Sequence, residues 1–582
     1  MNAGVERLIE TIRESVIGHD RCLEGPFGSR RVTYADYTAS GRSLGFIEDF
    51  MRREVMPLYA NTHTETSATG LQTTRLREEA RRLIRRSVGA DEQYAVVFCG
   101  SGATGAVHKL MAVMNLSLPS DLDERYSLKA HIPASERPVV FIGPYEHHSN
   151  ELPWRESIAD VVVIDEDAEG RIDLRHLERE LTSHAARSLR IGSFSAASNV
   201  TGIESDTAAV TTLLHRHGAL AFWDYAAAGP YMKIRMVAGH EGAEALASLD
   251  AIFLSPHKFV GGPGTPGVLV ARRALFTNRV PSVPGGGTVS YVNPTEHRYI
   301  ADTEHREEGG TPAILESIRA GLVVQLKETV GPERIEALEA GFVRRAIDTW
   351  TRNPAIRILG NHTAPRLSII SFLVRHGDSH LHHNFVVALL NDLFGVQARG
   401  GCSCAGPYGH RLLGIDLATS REFESEVLLG YEGIKPGWVR VNFNYFISEA
   451  TFDFVLKAVD FVASHGYKLL PQYRFDAKTG QWWHRAGRPE PPVCLERISY
   501  ASGEMSHPFR HLSAPESALA SYLEEARAIT DKAVADSATQ PPEAIDFPPE
   551  FERLRWFPTP GEALAEMRGR AIHAPAANLI HV

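Results

Sequence analysis

The chain has 582 residues, of which 43% are hydrophobic and 23% charged, a composition typical of folded globular proteins rather than disordered or fibrous ones. Its 61 basic and 71 acidic side chains give a net charge of −10, which provides no general electrostatic reason to bind nucleic acid or an anionic membrane. We find no apolar run of about 18 residues, and five cysteines are too few for a disulfide framework in so long a chain. The sequence therefore predicts a cytoplasmic protein in a reducing compartment.

Short apolar runs separated by helical patterns characterise the first half of the chain. Their nearly continuous apolar character is typical of strands buried on both faces of a mostly parallel sheet. Helical patterns, such as those at 103–116 and 206–218, predict helices on both faces of a doubly wound α/β domain. The predicted strands are YAVVFCG (94–100), PVVFIG (138–143), DVVVID (160–165), LRIGSFSA (189–196), ALAFWDY (219–225), AIFLSP (251–256) and GVLVAR (267–272).

The pattern changes on either side of this domain. We predict an N-terminal helical segment at 1–30, the large α/β domain at 31–313 and a smaller α+β domain at 314–468. The smaller domain contains the strand-like runs SIISFLV (368–374) and WVRVNFNYF (438–446). Residues 469–582 form a proline-rich C-terminal extension with one helical pattern at 516–538, and we expect it to wrap around the body of the protein.

Two predicted strands that follow each other in the chain end in side chains that could take part in catalysis. Lys258 closes the segment Ser-Pro-His-Lys and precedes a Gly-rich loop, so it could be a Schiff-base amine or a surface lysine in a turn. Asp224 ends the preceding strand, where a carboxylate can pair with a pyridinium nitrogen or can cap a helix.

Two further loops lie at strand ends. The Gly-rich loop at 100–105 precedes a helix, whose N-terminus favours a phosphate, although such a loop alone is weak evidence. His147 follows another strand and could stack on a planar cofactor, although a lone histidine is more often structural. The four features follow strands that share one edge of the sheet, and together they indicate a site for pyridoxal phosphate.

The sequence resembles the class V aminotransferase fold, in particular the cysteine desulfurase and selenocysteine lyase group, over roughly residues 30 to 465. The resemblance implies the pyridoxal-phosphate-dependent transferase fold, which is aspartate aminotransferase-like, with pyridoxal 5′-phosphate as the cofactor. It rests on TYADYTASG (33–41), YANTHTETSATG (59–70), GSGATGA (100–106), EHHSNELPW (146–154), SNVTG (198–202), WDYAAA (223–228), SPHK (255–258), EEGGTPA (307–313) and RVNF (440–443).

The resemblance also implies roles for single residues. A threonine in the Gly-Gly-Thr-Pro segment, Thr311, is expected to reach the phosphate across a dimer interface, which implies a homodimer. Arg440 is expected to hold the substrate carboxylate, with Arg399 and Asn199 beside it. The implied cofactor ligands are Thr104, Ser255 and His257 for the phosphate, His147 stacked on the ring, Asn199 at the ring oxygen, Asp224 at the ring nitrogen and Lys258 as the Schiff-base lysine.

A pair of cysteines decides between reactions. The segment at 399–405, Arg-Gly-Gly-Cys-Ser-Cys-Ala, resembles the desulfurase pattern Arg-x-Gly-x-x-Cys-Ala, which places the nucleophile at Cys404. Two cysteines at this spacing can be half of a zinc site, but no second Cys/His pair has a matching spacing, so we predict no metal. We interpret the histidines at 376, 380, 382 and 383 as a loop and the start of a helix that Asp378 or Ser379 could cap.

Two positions depart from the family pattern: Ala227 stands where a glutamine is usual, and Cys402 where a histidine is common. The basic segment at 74–87 is interpreted as a solvated amphipathic helix.

The sequence therefore predicts a pyridoxal-phosphate-dependent cysteine desulfurase that converts cysteine to alanine and leaves a persulfide on Cys404. Lys258 and His147 would assist proton transfers, and a sulfur-acceptor protein is an expected partner. Two alternatives stay open: a class V aminotransferase, or a lyase acting on selenocysteine or a cysteine derivative, and in either of them Cys404 is dispensable. A third, from another class, is a non-catalytic scaffold or regulator, against which the intact Lys258, Asp224 and Arg440 argue.

Overall fold

A computed structural model describes residues 3–488, 490–541, 545–570 and 580. These residues form two compact units. Unit 1 contains the described residues up to Ile17, Tyr37–Ala340 and Thr363–Leu367. Unit 2 contains Gly18–Asp36, Gly341–His362 and the described residues from Ser368 onward.

Strands of both units are numbered in chain order. In the part of the chain that the structure describes they are β1 (Arg21–Gly25), β2 (Gly28–Arg31), β3 (Thr33–Tyr34), β4 (Tyr94–Cys99), β5 (Val139–Ile142), β6 (Asp160–Val163), β7 (Arg190–Ser195), β8 (Leu220–Asp224), β9 (Ala251–Leu254), β10 (Gly267–Arg272), β11 (Val289–Val292), β12 (His297–Tyr299), β13 (Ile356–Ile358), β14 (Ile369–His376), β15 (Ser379–His380), β16 (Val396–Gln397), β17 (Arg399–Gly401), β18 (Trp438–Asn442), β19 (Tyr473–Asp476), β20 (Gln481–His484) and β21 (Leu512–Ser513).

Helices are numbered in the same way. Within the described ranges they are α1 (Ala3–Ser15), α2 (Gly45–Phe50), α3 (Ala68–Ser87), α4 (Gly102–Val113), α5 (Ser120–Tyr126), α6 (Leu128–His131), α7 (Leu152–Arg155), α8 (Leu174–Ser183), α9 (Thr207–Arg216), α10 (Gly242–Ala245), α11 (Thr303–Arg306), α12 (Ile314–Val330), α13 (Pro332–Trp350), α14 (His383–Phe394), α15 (Gly406–Leu412), α16 (Leu417–Leu428), α17 (Glu449–His465), α18 (Leu519–Ser537), α19 (Pro549–Leu554) and α20 (Pro560–Met567). No helix among the described residues is long and apolar enough to cross a membrane.

Unit 1 is built on a seven-stranded sheet in the order β4-β10-β9-β8-β7-β5-β6. All seven strands coincide with the predicted apolar runs, and only β10 runs antiparallel to its neighbours, so the prediction of a mostly parallel sheet is confirmed. Alternate residues such as Val97, Phe253 and Leu269 pack with α4 in one buried layer. This arrangement places the ends of six parallel strands along one edge, where polar side chains can meet.

Unit 2 contains an antiparallel sheet in the order β13-β14-β18-β17. Its strands β14 and β18 are the two runs predicted for a smaller α+β domain. Helices α14, α17 and α18 pack against one another in this unit. Gly18–Asp36 also belong to it, although they precede most of unit 1 in the chain.

The C-terminal extension is an integral part of unit 2 in its described residues. Its strand β21 pairs with β1, and β19 and β20 form a hairpin. The predicted helix at 516–538 is α18. The indole of Trp556 is buried and donates a hydrogen bond to the carbonyl oxygen of Ile434 at 3.0 Å. The extension therefore adds a layer to unit 2 that includes apolar core side chains.

Two local predictions are wrong. The amphipathic helix predicted at 74–87 is present within α3, but two of its basic side chains are not solvated: Arg77 and Arg81 are buried and pair with the buried carboxylate of Glu308. The cap of α14 is neither Asp378 nor Ser379: the imidazole of His382 accepts a hydrogen bond from the backbone N–H of Asn384 at 3.1 Å. Among the described residues, no three His, Cys, Asp or Glu side chains are grouped as metal ligands would be.

Candidate active site

Lys258 and Asp224 lie at the ends of adjacent parallel strands of unit 1. Asp224 is the last residue of β8, and Lys258 ends a short 3₁₀ turn, Pro256–Lys258, that follows β9. Asp224 is buried, and its carboxylate accepts a hydrogen bond from the backbone N–H of Ala226 at 2.7 Å. Burial raises the pKa of Asp224, whereas the hydrogen bond from Ala226 and the charge of Lys258 act in the opposite direction. A buried carboxylate of this kind gains from a cationic partner.

A group of backbone and side-chain donors around Gly102, here called the Gly102 cradle, lies at the N-terminus of α4. The backbone N–H of Ala103 donates a hydrogen bond to the hydroxyl of Ser255 at 2.8 Å. Gly102 has a φ of +54°, and a Cβ added there would lie 2.8 Å from the Ser255 hydroxyl and 3.4 Å from Nε2 of His257. Only glycine therefore lets these two side chains approach the helix N-terminus, which is a favourable site for a phosphate.

Ser149 connects two other predicted ligands. Its hydroxyl lies 2.6 Å from the hydroxyl of Thr104 and 3.1 Å from Nδ1 of His147. The backbone N–H of Ser149 also donates to that Nδ1 at 3.1 Å, which fixes the orientation of the imidazole. Thr104 and His147, 43 residues apart in sequence by their numbers, thus belong to one local network.

Burial shifts the pKa values of two side chains near these strand ends. Burial, with a further contribution from the charge of Lys258, lowers the pKa of His257 to about 4, so its imidazole is neutral at pH 7. Burial also raises the pKa of Glu146 to about 7, although the Ser195 hydroxyl and the Asn150 amide donate hydrogen bonds to the carboxylate. Glu146 lies beside His147 in the predicted loop, but only its buried environment distinguishes it from an ordinary loop acid.

The residues of unit 1 fit pyridoxal phosphate. The Gly102 cradle offers backbone and hydroxyl groups to a phosphate, and a buried Asp224 would be compensated by a protonated ring nitrogen. Asn199 is buried beyond the end of β7, and Ala227 is buried near Asp224.

Thr311 belongs to a different local group. It is exposed, and its hydroxyl accepts a hydrogen bond from the side-chain amide of Asn61 at 3.5 Å. The preceding Glu307 and Glu308 are buried and anchor the segment: Glu307 accepts a hydrogen bond from the Asn278 amide at 2.7 Å, and Glu308 pairs with Arg81 at 3.0 Å. The segment is therefore held in place while Thr311 itself is presented at the surface of the chain.

Two arginines meet in unit 2. Arg399 on β17 and Arg440 on β18 are directly opposite each other in the antiparallel pair. Arg440 is buried and pairs with Asp36 at 2.8 Å. Burial lowers the pKa of Arg440, Asp36 opposes this lowering, and the charge of Arg399 adds to it. Asp36 lies in the quoted segment TYADYTASG, yet nothing in the sequence singled it out as the partner of Arg440.

The loop at 402–405, here called the cysteine loop, directly follows β17. All five cysteines are free thiols; Cys402 is exposed, whereas Cys404 is half-buried. Both thiols line a cavity of about 500 Å³ within unit 2, together with Arg399 and the buried His383. A volume of this size is typical of small-molecule sites.

Comparison with known proteins gives the family. A sequence model of the family "Aminotransferase class-V" matches residues 33–421, so the chain belongs to that family of enzymes. Among its relatives are two named probable cysteine desulfurase. The one from Streptomyces coelicolor is 26% identical over 398 residues, which is 68% of this chain and 88% of the relative. The one from Staphylococcus aureus is 26% identical over 393 residues, which is 66% and 86%.

Solved structures show the same fold. A cysteine desulfurase from Thermococcus onnurineus has a TM-score of 0.60 at 22% identity, over 78% of this chain and 98% of that one. The cysteine desulfurase CsdA from Escherichia coli has a TM-score of 0.54 at 20% identity, over 73% and 93%. The resemblance and the fold class predicted from the sequence are thereby confirmed, whereas the roles of single residues stay predictions.

Proposed function

We propose that this class V enzyme is a cysteine desulfurase that uses pyridoxal 5′-phosphate. It removes sulfur from free cysteine and yields alanine and a persulfide on Cys404. The observation that carries the proposal is an accessible thiol, Cys404, on the turn that follows the arginine-bearing strand β17. Relatives named probable cysteine desulfurase support the same reaction.

The unit 1 residues would hold the cofactor. Lys258 would bind it covalently, Asp224 would pair with its ring nitrogen, and His147 would stack on the ring. The bound cofactor supplies an electron sink that makes bonds at the substrate Cα easier to break. The other expected contacts are Thr104, Ser255 and His257 to the phosphate, Asn199 to the ring oxygen and Thr311 of a second subunit to the phosphate.

The remaining steps use side chains of this chain. Arg440, with Arg399 opposite it on the neighbouring strand, binds the substrate carboxylate, because a guanidinium group offers charge-assisted donors to a carboxylate. The Lys258 amine takes the proton from the substrate Cα, and His147 assists later proton transfers. The Cys404 thiolate then attacks the substrate sulfur, so that a sulfur–sulfur bond forms as the carbon–sulfur bond breaks. The electron pair of the broken bond stays with the substrate carbon, which takes up a proton to give alanine.

The proposal extends to partners and location. We infer a homodimer, a sulfur-acceptor protein as a downstream partner, and a cytoplasmic protein that binds neither nucleic acid nor membrane. The net charge of −10 gives no attraction to nucleic acid or an anionic membrane, which supports the absence of such partners. The small number of cysteines supports a reducing compartment.

The decisive test is to incubate the purified protein with cysteine and to measure alanine and persulfide together. The wild type should form both products. Cys404→Ser should still bind cysteine, which a spectral shift would report, but should release almost no sulfur, because a hydroxyl cannot carry a persulfide. Cys494→Ser, which removes a thiol in the C-terminal extension, is the matched control and should behave as the wild type.

Other results would favour other functions. Conversion of an amino acid to a keto acid that does not depend on Cys404 would identify an aminotransferase. Release of sulfur or selenium from a substrate by Cys404→Ser at the wild-type rate would identify a lyase. Binding of an amino acid without any turnover would identify a scaffold or regulator.

A further inference from the structure

Cys402 and Cys404 occupy a tight turn. The backbone N–H of Ala405 donates a hydrogen bond to the carbonyl oxygen of Cys402 at 3.1 Å, which closes a four-residue turn. Both central residues have left-handed backbones, with φ of 52° at Ser403 and 56° at Cys404. Positive φ at both central positions is the signature of a type I′ turn, which normally contains Asn-Gly or Asp-Gly. Here the second central position is given to a cysteine.

The turn keeps the two thiols within reach of each other. Residues two apart cannot have Cα atoms separated by more than about 7 Å even in an extended chain, and a turn shortens this distance. Sulfur–sulfur bonds between cysteines span Cα separations of about 4.4–6.8 Å. Cys402 and Cys404 therefore need no unfolding of the loop to exchange a sulfur atom.

The two thiols differ in their exposure to solvent. Cys402 is exposed and Cys404 is half-buried, with the buried Ser403 between them. Both line the same cavity of about 500 Å³, which has room for an additional sulfur atom. Gly401, with a φ of +115°, precedes Cys402, and a Cβ built on it would meet nothing within 4 Å, so that side of the residue is open.

We propose that Cys402 is a second sulfur carrier, which takes the outer sulfur from the Cys404 persulfide and presents it at the protein surface. The inference rests on the proposed desulfurase function. The Cys402 thiolate attacks the outer sulfur of the persulfide, and a new sulfur–sulfur bond forms at Cys402. The bond at Cys404 breaks, and its electron pair leaves on the Cys404 sulfur as a thiolate. One thiolate replaces another, the terminal proton stays on the transferred sulfur, and no oxidant or reductant is consumed.

The transfer determines how many alanines each chain can produce in one burst. It frees Cys404 for a second turnover before any acceptor has arrived, so one chain can store two sulfur atoms. Without an acceptor or reductant, the wild type should produce a rapid burst of two alanines per chain. Cys402→Ser should produce one, and Cys404→Ser none. The control Cys494→Ser should produce two.

Mass spectrometry locates the sulfur independently of turnover. After a pulse of cysteine, persulfides are trapped by alkylation, and trypsin then releases the peptide 400–411, which contains both cysteines. Fragmentation separates Cys402 from Cys404, because Ser403 lies between them. The wild type should carry the sulfur on both residues, and Cys402→Ser should carry it on Cys404 alone.

Three results would overturn the relay. Equal bursts from the wild type and Cys402→Ser, with all sulfur on Cys404, would show that Cys402 takes no part, while the desulfurase function would stand. A Cys402–Cys404 disulfide with release of hydrosulfide would show attack on the inner sulfur instead. Absence of both alanine and persulfide in the wild type would overturn the relay together with the proposed function.

Discussion

Asp224 and Lys258 form a pair of opposite charges at adjacent strand ends, but burial of the carboxylate outweighs the influence of the lysine, because the pKa of Asp224 is still raised. A buried carboxylate without full compensation costs free energy. A cationic ring nitrogen would remove that cost. The buried carboxylate of Asp224 therefore suits a protonated heterocycle as its partner.

The first prediction concerns the lysine that holds the cofactor. The purified wild type should absorb visible light, and borohydride should fix the cofactor on Lys258; Lys258→Ala should lose this label. The matched control is Lys327→Met, because Lys327 is also buried, and burial lowers its pKa to about 8. Peptide mapping checks the label. A label on Lys327 would show that the site is misassigned.

Glu146 gives a pH-dependent prediction. Burial raises its pKa to about 7 in the folded protein, compared with 4.5 for an ordinary glutamate. The carboxyl group therefore favours the folded state fully below pH 4.5, and this contribution is lost as the pH rises through 7. At about 1.4 kcal/mol per pH unit, the loss amounts to about 3 kcal/mol.

Glu146→Gln cannot ionise, so this loss should be absent from the variant. Between pH 4.5 and 8, the free energy of unfolding of the cofactor-free wild type should fall by about 3 kcal/mol relative to the variant. Urea unfolding at several pH values measures the difference. The exposed Glu241→Gln should follow the wild type. Parallel pH curves for wild type and Glu146→Gln would mean that the buried carboxyl does not titrate in this range.

At the level of elements, the sheet of unit 1 was predictable because each strand is a short apolar run, and its site loops were predictable because they follow those runs. The sequence could not predict ion pairs between residues that lie far apart in the chain. Arg77 and Arg81 lie in a basic run, and their burial requires Glu308, which is more than 200 residues away along the chain. The pairing of Arg440 with Asp36 likewise joins residues far apart in sequence.

The C-terminal extension shows a second limit of sequence patterns. Its prolines favour an extended chain, yet the extension contributes aromatic side chains to unit 2. Trp556 stacks on His382, with ring centres 5.2 Å apart and planes at 17°. His383, which follows His382 in the chain, lies so close to β17 that a Cβ on Gly400 would come within 3.1 Å of its ring. Composition cannot predict such packing, because the packing depends on which distant residues the folded chain brings into contact.

Trp556→Ala tests this packing. Removing a buried tryptophan typically costs about 3–5 kcal/mol, and this one also donates a hydrogen bond to Ile434. Unfolding followed by denaturant should show a loss of this size. Trp483→Ala is the control: Trp483 is only partly buried, next to Arg488, and its loss should cost far less. Equal stabilities of wild type and Trp556→Ala would mean that the extension does not support the fold.

At the scale of the whole molecule, the segment that contacts the backbone just before Thr311 exposes several large apolar side chains. The backbone N–H of Gly310 donates to the carbonyl oxygen of Gly286 at 2.8 Å, and a Cβ on Gly309 would come within 2.3 Å of the carbonyl oxygen of Val283. The chain around this contact exposes large apolar side chains. They are Val280, Val283, Tyr291 and Val292, each more than half exposed. Large apolar side chains that are grouped on a surface mark interaction surfaces.

We therefore expect a second copy of the chain to cover these side chains, which would bring Thr311 of one subunit to the phosphate site of the other. Sedimentation velocity should show a dimer at micromolar concentration. Val283→Glu would bury an unpaired carboxylate in that interface, and its dimer dissociation constant should rise at least about tenfold, which corresponds to about 1.4 kcal/mol. Cofactor retention should fall with it, because each phosphate would lose a ligand from the partner. Leu495→Glu, at an exposed leucine of the C-terminal extension, should stay dimeric. A wild-type monomer that keeps its cofactor at micromolar concentration would show instead that each chain builds its site alone.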